Sequence, residues 1–333
     1  MPRIFSLPQR LLPLHLLKQA CPLVGGQAVM EGVMMRHEDC YAVAVRQPDG
    51  SILAERFPWF SLARGPLKKP FLRGFPVLLE TMVNGIKALN ASAMRATQEG
   101  EEKLEGWHLV LTMLVAIGMA VLLFVVAPHA LSLGMQWLGL GGAVEGLSFH
   151  LWDGFYKCCI FISYIAAISL VPDIRRVFQF HGAEHKVIHS FEEGEDVTVA
   201  DAARRSRLHP RCGTTFVLFV ISISIVLHAV LVPLLLYFWT PENVVAKHAV
   251  TILFKLLLVV PISALAYELI RSAGRMRDGW AARMLRAPGL FLQLLTTREP
   301  AREHLEVALV ALAEALGERR PETLYTPTYS KVE

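Results

Sequence analysis

The most constraining feature of this sequence is a long segment without a charged residue. Residues 216–239, FVLFVISISIVLHAVLVPLLLYFW, include one His and one Pro but no Lys, Arg, Asp or Glu. A helix needs about 20 apolar residues to cross a hydrocarbon core of roughly 30 Å. The segment therefore predicts a membrane-spanning helix.

Three further runs are nearly as long and carry few or no charges. They cover residues 107–127, 155–172 and 248–270. The second is the shortest and has Lys157 near its start, where the amine would reach the membrane interface. The composition agrees, since 53% of all residues are hydrophobic and only 19% are charged. We therefore predict an α-helical polytopic membrane protein with about four transmembrane helices, whose first partner is the lipid bilayer.

Lys and Arg are distributed unevenly between the predicted spans. Residues 128–154 contain neither, whereas residues 173–215 contain seven, and five arginines open the tail that follows residue 270. Cytoplasmic connections retain positive charge, so both termini and the long loop are predicted to be cytoplasmic. The basic residues are spread over these loops, and the net charge of +4 therefore does not indicate binding to nucleic acid.

The N-terminal part differs in character from the predicted spans. PDG separates two alternating segments, Cys40–Arg46 and residues 51–57, and predicts a β-hairpin within a small cytoplasmic α+β region. Residues 25–36, GGQAVMEGVMMR, are also predicted to be extended. The predicted regions are a flexible or amphipathic start (1–20), the α+β region (21–106), a four-span membrane domain (107–270) with its cytoplasmic loop (173–215), cytoplasmic helices (271–318) and a frayed tail (319–333).

The cytoplasmic loop carries the sequence HGAEH on a predicted helix. Positions four apart share a helix face, so His181 and His185 can present two imidazoles to one ion, with Glu184 beside them. The order of the residues is the inverse of that in the common zincin helix. In such hydrolases the Glu takes a proton from a water whose pKa the metal lowers to about 7. The pattern predicts a divalent metal site, with zinc as the metal and Glu184 as the general base.

A third ligand must come from elsewhere in the chain. His209 and Cys212 lie three residues apart in HPRCG, and Glu268 lies at the cytoplasmic end of the fourth predicted span. His189 follows His185 by about one helical turn and is a further candidate. The sequence does not choose among these four. The alternatives are that interfacial histidines only bind water or headgroups and that Glu268 pairs with an arginine.

Three other polar residues stand out. Glu31 lies in an apolar, predicted extended segment, where a carboxylate needs a partner such as Arg36 or a loop arginine. Arg211 belongs to the HPRCG motif. His228 lies deep in the third span, where an ionisable group indicates function unless a backbone carbonyl satisfies it.

Four motifs occur in order along the chain, namely GGQAVMEGVMMR, FHGAEHKVIHSFE, RLHPRCGTTF and LQLLTTREP. On these motifs the chain resembles the bacterial YqhQ-like family of membrane proteins, over about residues 22–316. The resemblance implies a multi-pass protein of the bacterial inner membrane, with a domain of unknown function that is described as a predicted metal-dependent enzyme. It also implies that Glu31, His209 and Cys212 belong to one functional unit with HGAEH.

These features together predict a metal-dependent, hydrolase-like membrane enzyme. A site near the bilayer surface fits a lipid-linked or membrane-protein substrate, and the chain could form a homo-oligomer. The alternative is a non-enzymatic scaffold or assembly factor, in which a structural metal or a polar cluster ties the N-terminal region to the span ends. A transporter is a weaker third hypothesis, because His228 is the one clear ionisable residue within the predicted spans.

Overall fold

The computed structural model describes residues 24–96, 106–194, 197–276 and 279–317. The predicted flexible start and frayed tail lie outside these residues. Four strands open the described chain, namely β1 (Val24–Val29), β2 (Gly32–His37), β3 (Cys40–Arg46) and β4 (Ile52–Pro58). They form one antiparallel sheet in the order β1-β2-β3-β4.

The predicted β-hairpin is confirmed as β3 and β4, in which Arg46 pairs with Ile52. The segment GGQAVMEGVMMR is extended but folds back on itself as β1 and β2. Glu31 therefore lies in a tight turn, with a positive φ of 51°, and not within an extended segment as predicted. The reason is that a two-residue connection between paired strands requires a left-handed residue.

Both faces of the sheet are covered, which explains its nearly continuous apolar strands. Successive side chains point to opposite faces, so Met35 and Ala42 lie with α5 and α11 on one side, while Met34 and Tyr41 lie with Trp59 on the other. The helices are α1 (Gly74–Ala96), α2 (Gly106–Val121), α3 (Ala127–Trp137), α4 (Leu147–Ile168), α5 (Pro172–Glu192), α6 (Val199–Arg204), α7 (Gly213–Phe238), α8 (Val244–Leu257), α9 (Val259–Arg275), α10 (Trp280–Thr296) and α11 (Arg302–Leu316).

Within the described residues, four helical segments are long and apolar enough to cross a membrane. They are Val110–Trp137, Leu147–Ile168, Gly213–Phe238 and Val244–Gly274. The first continues past the predicted end at residue 127, because the π-helical turn Leu122–Val126 lets the chain continue into α3 with Pro128 in its first turn. The fourth combines α8 and α9.

The second candidate span corrects one prediction. It begins at Leu147, before the predicted start at residue 155, so Lys157 lies in the middle of α4 and not at an interface. Its side chain is only 4% exposed and is paired with Asp153, one turn earlier. Hydropathy starts the span too late in the chain because His150 and Asp153 lower the local average, although both side chains are buried.

Candidate metal centre

Helix α5 carries the HGAEH sequence and places its polar residues on one face. Pro172 is tolerated in the first turn of α5, and Asp173 beside it suits the positive helix end. The spacing of three and four residues brings His181, Glu184 and His185 to the same side. This side is turned inward, since Glu184 is 4% exposed and His185 is 1% exposed.

Cys212 meets the two histidines from the start of α7. Nε2 of His181 lies 3.2 Å from Sγ of Cys212. Within the described residues, one ligand atom from each of His181, His185 and Cys212 lies within 4.8 Å of the other two. Of the four predicted candidates for a third ligand, the structure brings Cys212 to the histidine pair.

Backbone carbonyls orient both imidazoles. Nδ1 of His181 lies 2.8 Å from the carbonyl oxygen of Thr296, and Nδ1 of His185 lies 2.6 Å from that of Arg207. A carbonyl only accepts hydrogen bonds, so each Nδ1 donates, and each Nε2 keeps its lone pair. Nε2 of His185 is buried without a hydrogen-bond partner among the described residues. This is the arrangement that metal-binding histidines adopt in proteins.

The environment of Cys212 favours its thiolate. The residue caps the N-terminus of α7, and its sulfur accepts a hydrogen bond from the backbone N–H of Thr214. Burial raises the pKa of the Cys212 thiol, but His185 and the two Thr214 hydrogen bonds together bring that pKa below its ordinary value. A low pKa at a helix N-terminus is typical of metal-binding and reactive cysteines.

Glu184 lies beside the three ligand atoms as a buried carboxyl. Burial raises its pKa to about 8, against the opposing effect of His181. Its Oε2 has no hydrogen-bond partner among the described residues. Strand β1 packs directly on it, because a Cβ atom at Gly26 would lie 2.7 Å from the Glu184 carboxyl carbon. The first glycine-rich motif therefore leaves room for this side chain.

Helix α10 supports the site through residues that the sequence reasoning did not single out. Gln293 accepts a hydrogen bond from the His209 backbone N–H at 2.7 Å and donates one to the His209 carbonyl at 2.8 Å. Thr297 accepts from the Arg207 guanidinium through both its carbonyl and its hydroxyl. The sequence sign of these contacts is the group of uncharged polar residues in LQLLTTREP. Such residues are buried in an otherwise apolar helix where they form hydrogen bonds.

Two of the remaining candidates flank the three ligands. The His209 ring lies 5.6 Å from that of His185, and its Nε2 is 3.5 Å from Glu192. Burial lowers the pKa of His209 to about 4, so this ring is neutral at pH 7. Nε2 of His189 bonds to the Leu208 carbonyl at 2.9 Å. Arg211 also contacts this flank, as an ion pair with Glu192.

The two other predicted carboxylates are ion-paired and are not among the three-residue group. Glu268 receives two hydrogen bonds from Arg73, at 2.7 and 2.6 Å. This pair links the segment before α1 to α9. Glu31 pairs with Arg176 on α5, which supports the predicted pairing with a loop arginine.

Comparison with known proteins places the chain in a family. A family model described as "Protein of unknown function (DUF1385)" matches residues 69–318. The chain is also 34% identical over 316 residues to "Uncharacterized protein YqhQ" of Bacillus subtilis (strain 168), covering 89% of this chain and 92% of that protein. No solved structure matches. The resemblance based on the four motifs is confirmed, and the chain belongs to the DUF1385 family of proteins of unknown function.

Proposed function

We propose that this chain is a multi-pass protein of the bacterial inner membrane that holds a divalent metal ion at a cytoplasmic site and uses it in hydrolysis. The ligands are His181, His185 and Cys212. One observation carries the proposal, namely that both imidazoles are anchored through Nδ1 to backbone carbonyls while their Nε2 atoms approach one cysteine sulfur. Neutral imidazole and thiolate are ligands that zinc favours.

The number of ligands favours an enzyme over a purely structural site. Structural zinc sites are closed by four protein ligands, whereas catalytic sites use three and leave one position for water. When bound, zinc would lower the pKa of such a water to about 7. Glu184 lies beside the three ligands, and its Oε2 is buried without a hydrogen-bond partner among the described residues. We assign it the role of general base, because the charge of a bound zinc would favour the ionised carboxylate over the neutral form that burial favours, and this carboxylate would accept the proton at Oε2.

The position of the site indicates the class of substrate. Cys212 directly precedes α7, which is one of the four candidate spans. A substrate must therefore approach where this helix would enter the bilayer. A lipid-linked substrate or a segment of a membrane protein fits that location better than a freely soluble molecule. The arginine-rich loops near the site support the cytoplasmic orientation.

Metal analysis of the full-length protein in detergent tests the first part of the proposal. Purified protein should carry about one zinc per chain, as expected for a dedicated site. The His185→Ala and Cys212→Ser variants should lose it. His189→Ala is the matched control, because His189 lies one turn further along the same helix but outside the three-residue group. A wild-type stoichiometry near zero, or one unchanged in His185→Ala, would contradict metal binding.

A scaffold or assembly factor is the second candidate. It is favoured by the way the centre joins distant parts of the chain, since β1, α5, α7 and α10 all meet there. The Glu184→Gln variant separates the two functions in a complementation assay of a deletion strain. A catalytic Glu predicts loss of function with zinc retained. A structural centre predicts full complementation, because Gln keeps the size of the side chain.

A further inference from the structure

The candidate spans bury a second polar cluster that is separate from the metal centre. It lies about four turns along α7 from Cys212. Its members come from four helices and are all at least 90% buried. They are His129 on α3, Asp153 and Lys157 on α4, Ser224 and His228 on α7, and Lys255 on α8. Among them, the sequence alone pointed to His228 and, as an expected interfacial residue, to Lys157.

These side chains form a continuous series of contacts. His248 Nδ1 lies 3.0 Å from His129 Nε2, and His129 Nδ1 lies 3.3 Å from Lys255 Nζ. Lys255 donates to Asp153 at 2.6 Å. On the other side of the carboxylate, Lys157 Nζ lies 3.6 Å from Asp153 Oδ2. Lys157 also contacts Nδ1 of His228, at 3.3 Å.

The series is open at one end and closed at the other. His248 lies in the second turn of α8 and is partly exposed. The ion pair between Glu145 and Lys247 lies beside it. Toward the metal centre, Phe161, Ile221 and Leu292 pack together as an apolar layer. Within the part of the chain that the structure describes, the series therefore reaches a partly exposed side chain at the end of the spans opposite Cys212.

The charges of the cluster do not balance. Two ammonium groups face one carboxylate, so with neutral histidines the cluster holds one positive charge in excess. An uncompensated charge is costly inside a membrane, where buried ionisable groups are paired or functional. The loss of a single proton makes the cluster neutral. Nε2 of His228 and Nδ1 of His150, nearby on α4, are buried without hydrogen-bond partners among the described residues.

Lys255 also determines which ring nitrogen of His129, and through it of His248, carries the proton. An ammonium group only donates hydrogen bonds, so Nδ1 of His129 must accept from Lys255. Neutral His129 then carries its proton on Nε2 and donates it to Nδ1 of His248. The remaining proton of His248 is on Nε2, at the partly exposed end. Every contact from Lys255 to this end is thus oriented in the same direction.

We propose that this cluster is a proton-exchange site, connected through His129 and His248 to the solvent on the side of the membrane opposite the metal centre. In the release direction, Lys255 gives a proton to Nδ1 of His129. His129 in turn passes its Nε2 proton to Nδ1 of His248. His248 then releases its own Nε2 proton to water. One proton leaves, Lys255 becomes a neutral amine, and both histidines end in the Nδ1–H tautomer. The reverse sequence takes the proton up.

Nitrogen NMR of ¹⁵N-histidine-labelled, full-length protein in lipid nanodiscs tests the proposal, with signals assigned by single His→Gln variants. Between about pH 5 and about pH 9, which spans the ordinary range of His and approaches that of Lys, His129 should change from the Nε2–H to the Nδ1–H tautomer. The change should be lost in Lys255→Met, which leaves a neutral Asp153–Lys157 pair. His150→Gln is the control and should keep it, since the hydrogen bond that the His150 ring forms among the described residues is to the Val144 carbonyl.

A second variant keeps the test decisive if Lys255→Met does not fold. Lys157→Met also removes the excess charge but leaves Lys255 opposite Asp153. His129 should then remain in the Nε2–H tautomer over the whole range. A His129 tautomer that does not respond to pH in the wild type would overturn the proposal. So would a response that persists in either lysine variant.

Discussion

Gly182 is the residue of HGAEH whose replacement gives the clearest test of the fold around the site. A Cβ atom at this position would lie 2.1 Å from the backbone carbonyl oxygen of Arg298 and 3.4 Å from Pro300. The chain after α10 is held against α5 here, because the Arg298 N–H donates to the Phe178 carbonyl at 2.8 Å. The obstacle is backbone, so a small side-chain rotation cannot relieve it.

The expected magnitude is the difference between two opposing effects. Replacing a helix-interior Gly by Ala stabilises a helix by about 1 kcal/mol. Overpacking costs about 1–3 kcal/mol, and a contact of this kind belongs at the upper end of that range. We therefore expect Gly182→Ala to lower the free energy of unfolding by about 2 kcal/mol. This corresponds to a fall of about 4–8 °C in Tm for a domain of 150–250 residues.

The same substitution should weaken metal binding. The displaced segment directly follows Thr296, whose carbonyl accepts the hydrogen bond from His181. Loss of such a partner typically costs about 10–100-fold in metal affinity. Tm is measured on detergent-purified protein by tryptophan fluorescence, and zinc affinity by competition with a chelating dye.

Gly118 provides the matched control. It lies inside α2, and a Cβ atom there would meet nothing within 4 Å. Gly118→Ala should therefore leave Tm unchanged or raise it, with zinc affinity unaltered. If Gly182→Ala behaved in the same way, the packing of the segment after α10 against α5 would be refuted.

Three further predictions concern other contacts. Burial alone would raise the pKa of the Glu80 carboxyl, but hydrogen bonds from residues 61–63 outweigh it and lower that pKa. The stability that Glu80 provides is therefore present above the ordinary Glu pKa and is lost as the pH falls through the lower folded value. Glu80→Gln should lower the free energy of unfolding by about 2 kcal/mol and make the fall of Tm toward acid pH less steep. Gly26→Ala should displace the Glu184 carboxyl, which is the flexible end of a side chain. The zinc content should be unchanged, while the infrared C=O band of protonated Glu184 should shift in the metal-free protein. An unshifted band would contradict the contact. Arg73→Ala should lower the free energy of unfolding by about 1–2 kcal/mol in thermal melts, since its pair with Glu268 is bidentate and only 17% exposed. The double variant Arg73→Glu with Glu268→Arg should recover part of this loss.

Local patterns were sufficient for much of this protein. The uncharged run at residues 216–239 predicted α7, and PDG between alternating segments predicted the β3–β4 hairpin with β3 at its observed bounds. The helical spacing of His181, Glu184 and His185 correctly placed them on one face. Each of these inferences depends on residues within one or two turns of each other, where composition and periodicity carry the information.

Tertiary structure decided which distant groups meet. The sequence offered four candidates for the third ligand, and the approach of α7 to α5 brings Cys212 to the histidine pair, whereas Glu268 pairs with Arg73. The supporting carbonyl of Thr296 could not be predicted, because a backbone acceptor leaves no mark in the sequence. The same holds for the cluster around Asp153, since hydropathy averages over one helix and treats each charge as a penalty. Only the tertiary structure shows that Asp153 pairs with both Lys157 and Lys255, because an ion pair between two helices is not a property of either helix alone.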